Sequence, residues 1–300
     1  MGIEAVTANE SFNFEHLLAP NWRSAVQRWL DEDLPSMDIG GFVVGDKMET
    51  AALYGKSSGV LAGAPFFTEV MRLVGCEVEW AAKDGDRIDA SSGKVVIARV
   101  KGSCRHLLIG ERTALNILSR CSGVATAADD AARRGREVGW HGMVAGTRKT
   151  TPGFRLVEKY GLVVGGAATH RNDLSQMVML KDNHIMSAGS ITKAVALAKR
   201  AAGFSIKVEV EAGTYEAAHE AATAGADVVM LDNFEPAALK KAAARLKKEF
   251  PNVLIEASGG ITADTMTQFM SPDVDVISRG SLTQGYACLD FSLKVLPAEP

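Results

Sequence analysis

Hydrophobic and polar positions follow two different patterns along this chain. In the first part, helical spacing of apolar residues alternates with short strand-like runs and turn-rich stretches. The helical stretches lie at 21–30, 65–73 and 111–121, and the strand-like runs at 76–81 and 95–100. This mixture predicts an α+β domain at the beginning of the chain.

From about residue 140 the pattern changes to short runs that are apolar on consecutive positions, separated by helical stretches. The apolar runs lie at 142–145, 177–180, 206–210, 228–231, 253–255 and 274–277, and the helical stretches at 191–202, 215–224, 236–250 and 263–270. Strands of this kind are buried on both faces, which predicts a parallel sheet covered by helices. Both an incomplete barrel and an open sheet fit this periodicity.

The polar residues that follow these runs favour the barrel. In a parallel barrel the carboxyl ends of all strands meet at one rim, where such enzymes place their active sites, whereas an open sheet would scatter them along an edge. The residues at the strand ends are Arg148 and Lys149, Lys181, Glu211, Asp232, Ser258 and Gly280. We therefore predict an α/β fold with an α+β domain at 1–125, a parallel α/β barrel at 126–285, and a tail at 286–300 that packs on the first domain.

Charge and cysteine usage narrow the possible functions. The net charge of −3 does not suggest a protein that binds nucleic acid through bulk positive charge, so an anionic ligand would need a local basic cluster. No apolar run approaches the length of a membrane span. The four cysteines lie far apart without metal-ligand spacing, which is typical of reduced thiols in a cytoplasmic protein.

Basic residues cluster in three segments of the barrel region. GTRKTTPGFR contains Arg148 and Lys149, THRND contains His170 and Arg171, and LKDNH contains Lys181. Loop cations are usually only solvated. These cations, however, adjoin apolar strands, and cations that converge on one rim repel each other unless an anion lies between them. The cluster therefore favours a polyanionic ligand.

Two acids and two glycine-bearing loops complete the predicted rim. Glu211 and Asp232 each end a strand, where a carboxylate can hold Mg²⁺ or bind ribose hydroxyls. A helix N-cap is the competing interpretation for Asp232, and by strand alternation Glu209 shares a face with Glu211, so one of them could be structural. The loops EASGGIT and SRGSLTQ follow the last two strands, which is the recurrent phosphate position of barrels.

Taken in order and spacing, these segments resemble the quinolinate phosphoribosyltransferase family, the nicotinate-nucleotide pyrophosphorylases. The resemblance rests on TRKTTPGFRLVEKYG, THRNDL, MLKDNH, VEVE, VMLDNF, EASGGIT, DVISRGSLTQ and, further upstream, SSGVLAGAPFF and GERTALNILSRCSGVAT. It covers nearly the whole chain and looks closest to the eukaryotic branch of the family.

The resemblance implies an α+β sandwich domain followed by an incomplete α/β barrel, and homodimers that can assemble into a hexamer as a trimer of dimers. It also implies the conversion of quinolinate and phosphoribosyl pyrophosphate into nicotinate mononucleotide, pyrophosphate and CO₂, for the de novo synthesis of NAD. Mg²⁺ would accompany phosphoribosyl pyrophosphate, and Arg112 would be lent to the active site of the neighbouring subunit.

Carried over residue by residue, the resemblance implies roles for the residues at the rim. Lys149, Lys181, Glu211 and Asp232 would be catalytic, and the two acids would also hold the metal. The substrates would be bound by Arg112, Arg148, Lys149, His170, Arg171, Lys181, Glu211, Asp232, Ser258, Gly259, Gly260 and Gly280. His170 could act in catalysis or only orient Arg171. Arg279 departs from the small or apolar residue of the relatives, and we expect it to face outward.

Three alternatives stay open on the sequence. A lyase or aldolase on a similar barrel could use Lys181 as a Schiff-base nucleophile, although the surplus of arginines argues against it. A non-catalytic relative associated with molybdenum transport should lack parts of the dicarboxylate clamp, which is intact here. A purely structural barrel would leave the order of charges at the strand ends unexplained.

Overall fold

The computed structural model describes residues 13–297, which form two compact units. The first contains the chain up to Ser122 together with the segment from Leu289 onwards, and the second runs from Gly123 to Cys288. Residues 1–12 of the predicted first domain and residues 298–300 of the predicted tail lie outside the described residues.

The first unit is built on an antiparallel sheet. Its elements are α1 (Trp22–Asp33), α2 (Gly41–Val44), β1 (Met48–Gly55), β2 (Gly59–Val60), α3 (Ala64–Leu73), β3 (Glu77–Trp80), β4 (Arg87–Ile88), β5 (Val95–Ser103), the first part of α4 (Cys104–Glu137), and β12 (Phe291–Val295). The strand order is β12-β1-β5-β3, so the C-terminal strand joins the edge beside β1. Phe66 and Phe67 of α3 are fully buried, and Trp22 of α1 meets Phe66 edge to face.

Helix α4 is much longer than the stretch at 111–121 that the sequence pattern predicted. It runs over 34 residues, and the boundary between the two units falls within it. Its second half is rich in alanine, the best helix former. Asp130 forms ion pairs with Arg133 and Arg134 one turn further along, and such pairs extend a helix where the apolar pattern is weak.

The second unit contains six parallel strands and the helices that cover them. Its elements are β6 (Met143–Ala145), α5 (Arg155–Val164), β7 (Val178–Leu180), α6 (Asp182–Ala188), α7 (Ile191–Ala202), β8 (Val208–Ala212), α8 (Tyr215–Thr223), β9 (Val228–Asp232), α9 (Pro236–Glu249), β10 (Leu254–Ser258) and β11 (Val276–Ser278). Side chains on the helix-covered face of the sheet, such as Val229, Leu231 and Ile255, are fully buried together with Leu239 and Leu246 of α9.

The strand order shows that this sheet closes on itself with a gap. The order is β6-β11-β10-β9-β8-β7, so the first strand in sequence pairs with the last one. On its other side β6 forms a single parallel bridge, from Ala145 to Ala168. In this sheet the closing partner of β7 is missing. The predicted incomplete parallel α/β barrel is therefore confirmed.

Three local predictions in the barrel were wrong or incomplete. The helix predicted at 263–270 is only a 3-10 turn, Met266–Gln268. There the backbone N–H of Thr262 donates to the hydroxyl of Thr265 and the N–H of Thr265 to the hydroxyl of Thr262, which competes with helix formation. Helices α5 and α6 were not predicted, because each begins within a segment whose polar and turn-forming residues dominated the pattern.

Within residues 13–297, no helix combines the length and the apolar character that a membrane span requires. None of the four cysteines, all of which lie among the described residues, forms a disulfide, and Cys76 and Cys121 are buried.

Candidate active site

A cavity of about 520 Å³ opens where the parallel strands of the second unit end. All of its lining residues belong to that unit. They are Thr147, Arg148, Lys149, His170, Arg171, Met179, Lys181, Glu211, Met230, Asp232, Asn233, Glu256, Ser258, Gly259, Gly260 and Ser278. The volume suits small-molecule substrates.

The structure brings most of the predicted site residues to this cavity. Those on its lining are Arg148, Lys149, His170, Arg171, Lys181, Glu211, Asp232, Ser258, Gly259 and Gly260. Gly280 lies just behind it, since a Cβ there would be 2.9 Å from Cδ of Lys149. Arg112 is not part of the lining: it is exposed on α4 in the first unit.

Arg171, one of the two arginines on the lining, donates its hydrogen bonds to neutral acceptors. Arg171 donates to the carbonyl of Met177 at 3.2 Å and to the sulfur of Met179 at 3.5 Å. Burial, and then the charge of Arg148, lower the pKa of the Arg171 guanidinium group. Nε of Arg148 is buried without a hydrogen-bond partner in the described part of the chain. Two guanidinium groups that disfavour each other's charge make this wall a binding surface for an anion.

The two acids, Glu211 and Asp232, lie at adjacent strand ends on the lining of the same cavity. Nζ of Lys181 donates to Oε2 of Glu211 at 2.6 Å. An ammonium group held by a carboxylate is a poor nucleophile, which argues against the Schiff-base alternative. Asp232 does not cap α9, whose N-cap is Glu235, so the capping interpretation was wrong. Burial, and then the charge of Glu211, raise the pKa of Asp232, so a cation between the two acids would be favourable.

The loop after β10 is shaped by two glycines with positive φ. Gly259 has φ +89° and Gly260 has φ +64°. A Cβ at Gly259 would lie 2.7 Å from the backbone nitrogen of Asn233, so only glycine permits this close approach. The hydroxyl of Ser278 donates to that of Ser258 at 3.1 Å, which ties the ends of β10 and β11 together. Glycine-bearing loops at the ends of the last barrel strands are typical phosphate positions.

Beneath the cations lies a buried cluster of His170, Glu209 and Glu256. Burial, and then the charge of Glu256, raise the pKa of Glu209 to about 9. The backbone N–H of Arg171 donates to Nδ1 of His170 at 2.8 Å, so in the neutral ring the proton is on Nε2, which lies 3.1 Å from Oε2 of Glu256. A protonated Nε2 has no lone pair for a metal ion. The contact between the Arg171 backbone and His170 fits the alternative in which His170 orients Arg171, and its role stays a prediction.

Several lining residues were not singled out from the sequence. The sequence contains a signal for two of them: Glu256 lies two positions before Ser258 and so shares its face of β10, and Asn233 directly follows the strand-end acid Asp232. In the structure Asn233 adopts φ +58°, which asparagine tolerates. The others are Thr147, Met179, Met230 and Ser278, and their residue types alone carry no chemical signal.

Arg279 was expected to face outward and to be exposed: it does point away from the cavity, but the expected exposure was wrong. Its side chain is buried, with Nη2 donating to the hydroxyl of Ser281 at 3.1 Å and Nη1 to the sulfur of Met266 at 3.4 Å. Strand alternation explains the difference. Because Ser278 points into the cavity, Arg279 points to the opposite side, where helices cover the barrel.

Barrels of this kind carry their active sites where the strands end, and a cavity lined by four cations suits an anionic ligand. The second unit is thus the catalytic domain of a barrel enzyme that acts on an anionic small molecule.

Comparison with known proteins defines the family. The C-terminal domain of quinolinate phosphoribosyl transferase matches residues 124–294, and the N-terminal domain of the same family matches residues 38–122. The nicotinate-nucleotide pyrophosphorylase (carboxylating) of Rattus norvegicus is 52% identical over 282 residues, which cover 94% of this chain and 93% of the rat protein. The Homo sapiens protein of the same name is 52% identical and covers 91% of each chain.

A solved structure supports the same assignment. The nicotinate-nucleotide pyrophosphorylase of Francisella tularensis superimposes with a TM-score of 0.86 at 32% identity, over 93% of this chain and 98% of that one. The chain belongs to the quinolinate phosphoribosyltransferase family. The identity to the two mammalian proteins, 52%, is higher than the 32% identity to the Francisella tularensis protein, which confirms the predicted likeness to the eukaryotic branch.

Proposed function

We propose that this protein is a decarboxylating phosphoribosyltransferase that joins quinolinate to phosphoribosyl pyrophosphate. The products would be nicotinate mononucleotide, pyrophosphate and CO₂, and a proton would replace the carboxylate at C2 of the ring. The observation that carries the proposal is a cavity whose lining combines four cations, Arg148, Lys149, Arg171 and Lys181, with the two acids Glu211 and Asp232. Family membership and the names of the mammalian relatives support it.

Quinolinate carries two adjacent carboxylates, which suit a pair of guanidinium groups. Arg148 and Arg171 form one wall of the cavity, and the planar fork of arginine matches carboxylate geometry. With both carboxylates held there, the ring nitrogen is oriented toward the acids. Because Arg148 and Arg171 are only partly neutralised by the protein, a dianion would be bound more strongly than a monoanion such as nicotinate.

Phosphoribosyl pyrophosphate would bind in the part of the cavity lined by the glycine loop, the two lysines and the two acids. The loop at Ser258–Gly260 would bind the 5′-phosphate through backbone N–H groups, with Gly280 keeping Lys149 close by. Lys149 and Lys181 would offset the charge that builds up on the departing pyrophosphate. Glu211 and Asp232 would stabilise the positive charge of the ribose as the bond to pyrophosphate weakens.

The acids also fit a Mg²⁺ ion that enters with the substrate. Mg²⁺ prefers oxygen ligands and is typically held by one or two carboxylates together with substrate phosphates. Glu211 and Asp232 line the same cavity, and the charge of Glu211 raises the pKa of Asp232, so the pair favours a cation. When bound, Mg²⁺ would neutralise the pyrophosphate charge.

The same proposal includes an assembly and a location. Arg112 is exposed on α4 in the first unit, where another copy of the chain could contact it, which supports its donation to a neighbouring site in a homodimer or in a hexamer built from dimers. Four free thiols without disulfides support a reducing, cytoplasmic location.

Product analysis tests the reaction. The purified protein would be incubated with quinolinate, phosphoribosyl pyrophosphate and Mg²⁺, beside nicotinate as substrate and beside Arg148→Ala. We expect nicotinate mononucleotide and CO₂ from quinolinate only, and their loss in the variant. Absence of quinolinate turnover by folded, oligomeric protein would refute the proposal.

A further inference from the structure

Lys159 is a buried cation that does not line the cavity. It lies on α5 with 5% of its surface exposed. Burial, followed by the charges of Arg155 and Arg148, lowers the pKa of its ammonium group to about 8. Placing an ammonium group in the interior beside two guanidinium groups is unfavourable, so its contacts must compensate for this cost.

Those contacts are two backbone carbonyls of one turn. Nζ of Lys159 donates to the carbonyl of Thr169 and, at 3.3 Å, to the carbonyl of Arg171. The two carbonyls flank His170, whose φ is +57°. This left-handed conformation is uncommon for residues other than glycine and costs energy, which surrounding contacts offset. Lys159 thus holds the turn on both sides of its strained residue.

The conformation of this turn determines where Arg171 lies. Because His170 is left-handed, the N–H of Arg171 meets Nδ1 of His170 at 2.8 Å. The guanidinium group then reaches the carbonyl of Met177 at 3.2 Å and remains on the cavity lining. If the turn relaxed to an ordinary conformation, the base of the Arg171 side chain would move away from this wall.

We propose that Lys159 is a positioning residue for substrate recognition, which fixes the His170–Arg171 turn so that the Arg171 guanidinium group faces the carboxylates of quinolinate. This inference rests on the function proposed above. A residue needed for packing alone would be better served by an apolar side chain, since methionine would fill similar space without an ammonium group next to Arg148 and Arg155.

The test compares Lys159→Met and Lys159→Gln with the wild-type protein and with Lys247→Met as a matched control. Lys247 also belongs to the second unit, is largely shielded from solvent and donates to a carbonyl, that of Val253 at 2.9 Å, but it does not line the cavity. Steady-state kinetics would be measured for each substrate separately, together with quinolinate binding in the absence of phosphoribosyl pyrophosphate and with thermal unfolding.

We expect Lys159→Met to raise the KM and Kd for quinolinate roughly 10- to 100-fold, the range that a displacement of about 1 Å in a binding group produces. The KM for phosphoribosyl pyrophosphate should stay within about twofold, an effect of less than 0.5 kcal/mol. Lys159→Gln retains one donor and should show a smaller effect in the same direction, and Lys247→Met should leave both KM values unchanged.

Three outcomes would overturn the proposal: an unchanged KM for quinolinate in both Lys159 variants, an equal change for both substrates, or failure of both variants to fold, which would make Lys159 a purely structural residue. Failure of the proposed function would look different, because the wild-type protein and Lys247→Met would then also not turn over quinolinate.

Discussion

Nζ of Lys181 and Oε2 of Glu211 lie 2.6 Å apart at the mouth of the barrel, where β7 and β8 end side by side. The pair is partly exposed, since 47% of the lysine side chain and 21% of the glutamate side chain are accessible. An ion pair of this kind adds little to stability in water. Its position on the cavity lining instead suggests that the two charges are arranged for the substrate.

We expect Lys181→Met to lower kcat/KM for phosphoribosyl pyrophosphate by about 100-fold, because a preformed charge next to the departing pyrophosphate is lost. Glu211→Gln should also reduce kcat/KM, and the double variant should lose less than the product of the single effects, since the partners are in contact. Lys56→Met, which removes the 2.6 Å ion pair with Asp290 in the first unit, serves as the control. If the loss of kcat/KM in the double variant equals the product of the two single losses, the two residues act independently.

Arg148→Lys tests the fork-like recognition of the dicarboxylate. Lysine keeps the charge but cannot form two parallel hydrogen bonds, so the KM for quinolinate should rise by about tenfold. The KM for phosphoribosyl pyrophosphate should hardly change. The matched control is Arg133→Lys, since Arg133 forms its ion pair with Asp130 on α4 and does not line the cavity. A rise in both KM values would indicate a general electrostatic effect instead.

Gly259→Ala and Gly260→Ala separate close packing from backbone strain. At Gly259 a Cβ would lie 2.7 Å from the backbone nitrogen of Asn233, so the loop has to move and the KM for phosphoribosyl pyrophosphate should rise. At Gly260 a Cβ would meet no described atom within 4 Å apart from its chain neighbours, so only the left-handed backbone costs about 1–2 kcal/mol of stability. Kinetics and thermal unfolding of both variants would check this. A KM for phosphoribosyl pyrophosphate that stays at the wild-type value in Gly259→Ala would contradict the phosphate role of the loop.

The buried Glu209 should make stability depend on pH. Its pKa is about 9 in the folded protein and near its ordinary value of 4.5 in the unfolded chain, so between these values the folded state binds more protons. The free energy of unfolding therefore falls as pH rises through this window, by at most about 1.4 kcal/mol per pH unit from this group. Glu209→Gln mimics the protonated acid and should gain stability over the wild type as pH increases.

Urea unfolding at several pH values would measure that difference. The control is Glu216→Gln, since Glu216 is exposed on α8, and its stability should stay parallel to the wild type. A difference between Glu209→Gln and the wild type that does not grow with pH would mean that Glu209 is ionised in the folded protein.

Removal of divalent ions tests the proposed role of the acids. Treatment with a chelator should abolish turnover, and Mg²⁺ should restore it. Asp232→Asn should raise the Mg²⁺ concentration required for half-maximal rate by roughly tenfold or more, a change of the size seen when a metal site loses a supporting group. Turnover that persists in the chelator, or an unchanged Mg²⁺ requirement in the variant, would show that Asp232 has another role.

The sequence by itself determined the architecture and most of the rim. Runs such as 228–231 are apolar on consecutive positions because parallel strands are covered on both sides, and the residue after each run lies at the carboxyl end of its strand. This relation predicts that Lys181, Glu211 and Asp232 share one rim, and all three line the cavity. It depends only on local periodicity and on the direction of parallel strands.

Only the tertiary structure decided which charged groups lie beneath that rim. Whether Arg279 faces the cavity or the helices depends on the register at which β11 ends, and the conformation of His170 depends on Lys159, eleven residues away on another element. Likewise, Glu209 differs from Glu211 through its complete burial next to Glu256 of β10. Desolvation and contacts between distant segments arise from packing, and a linear pattern does not contain them.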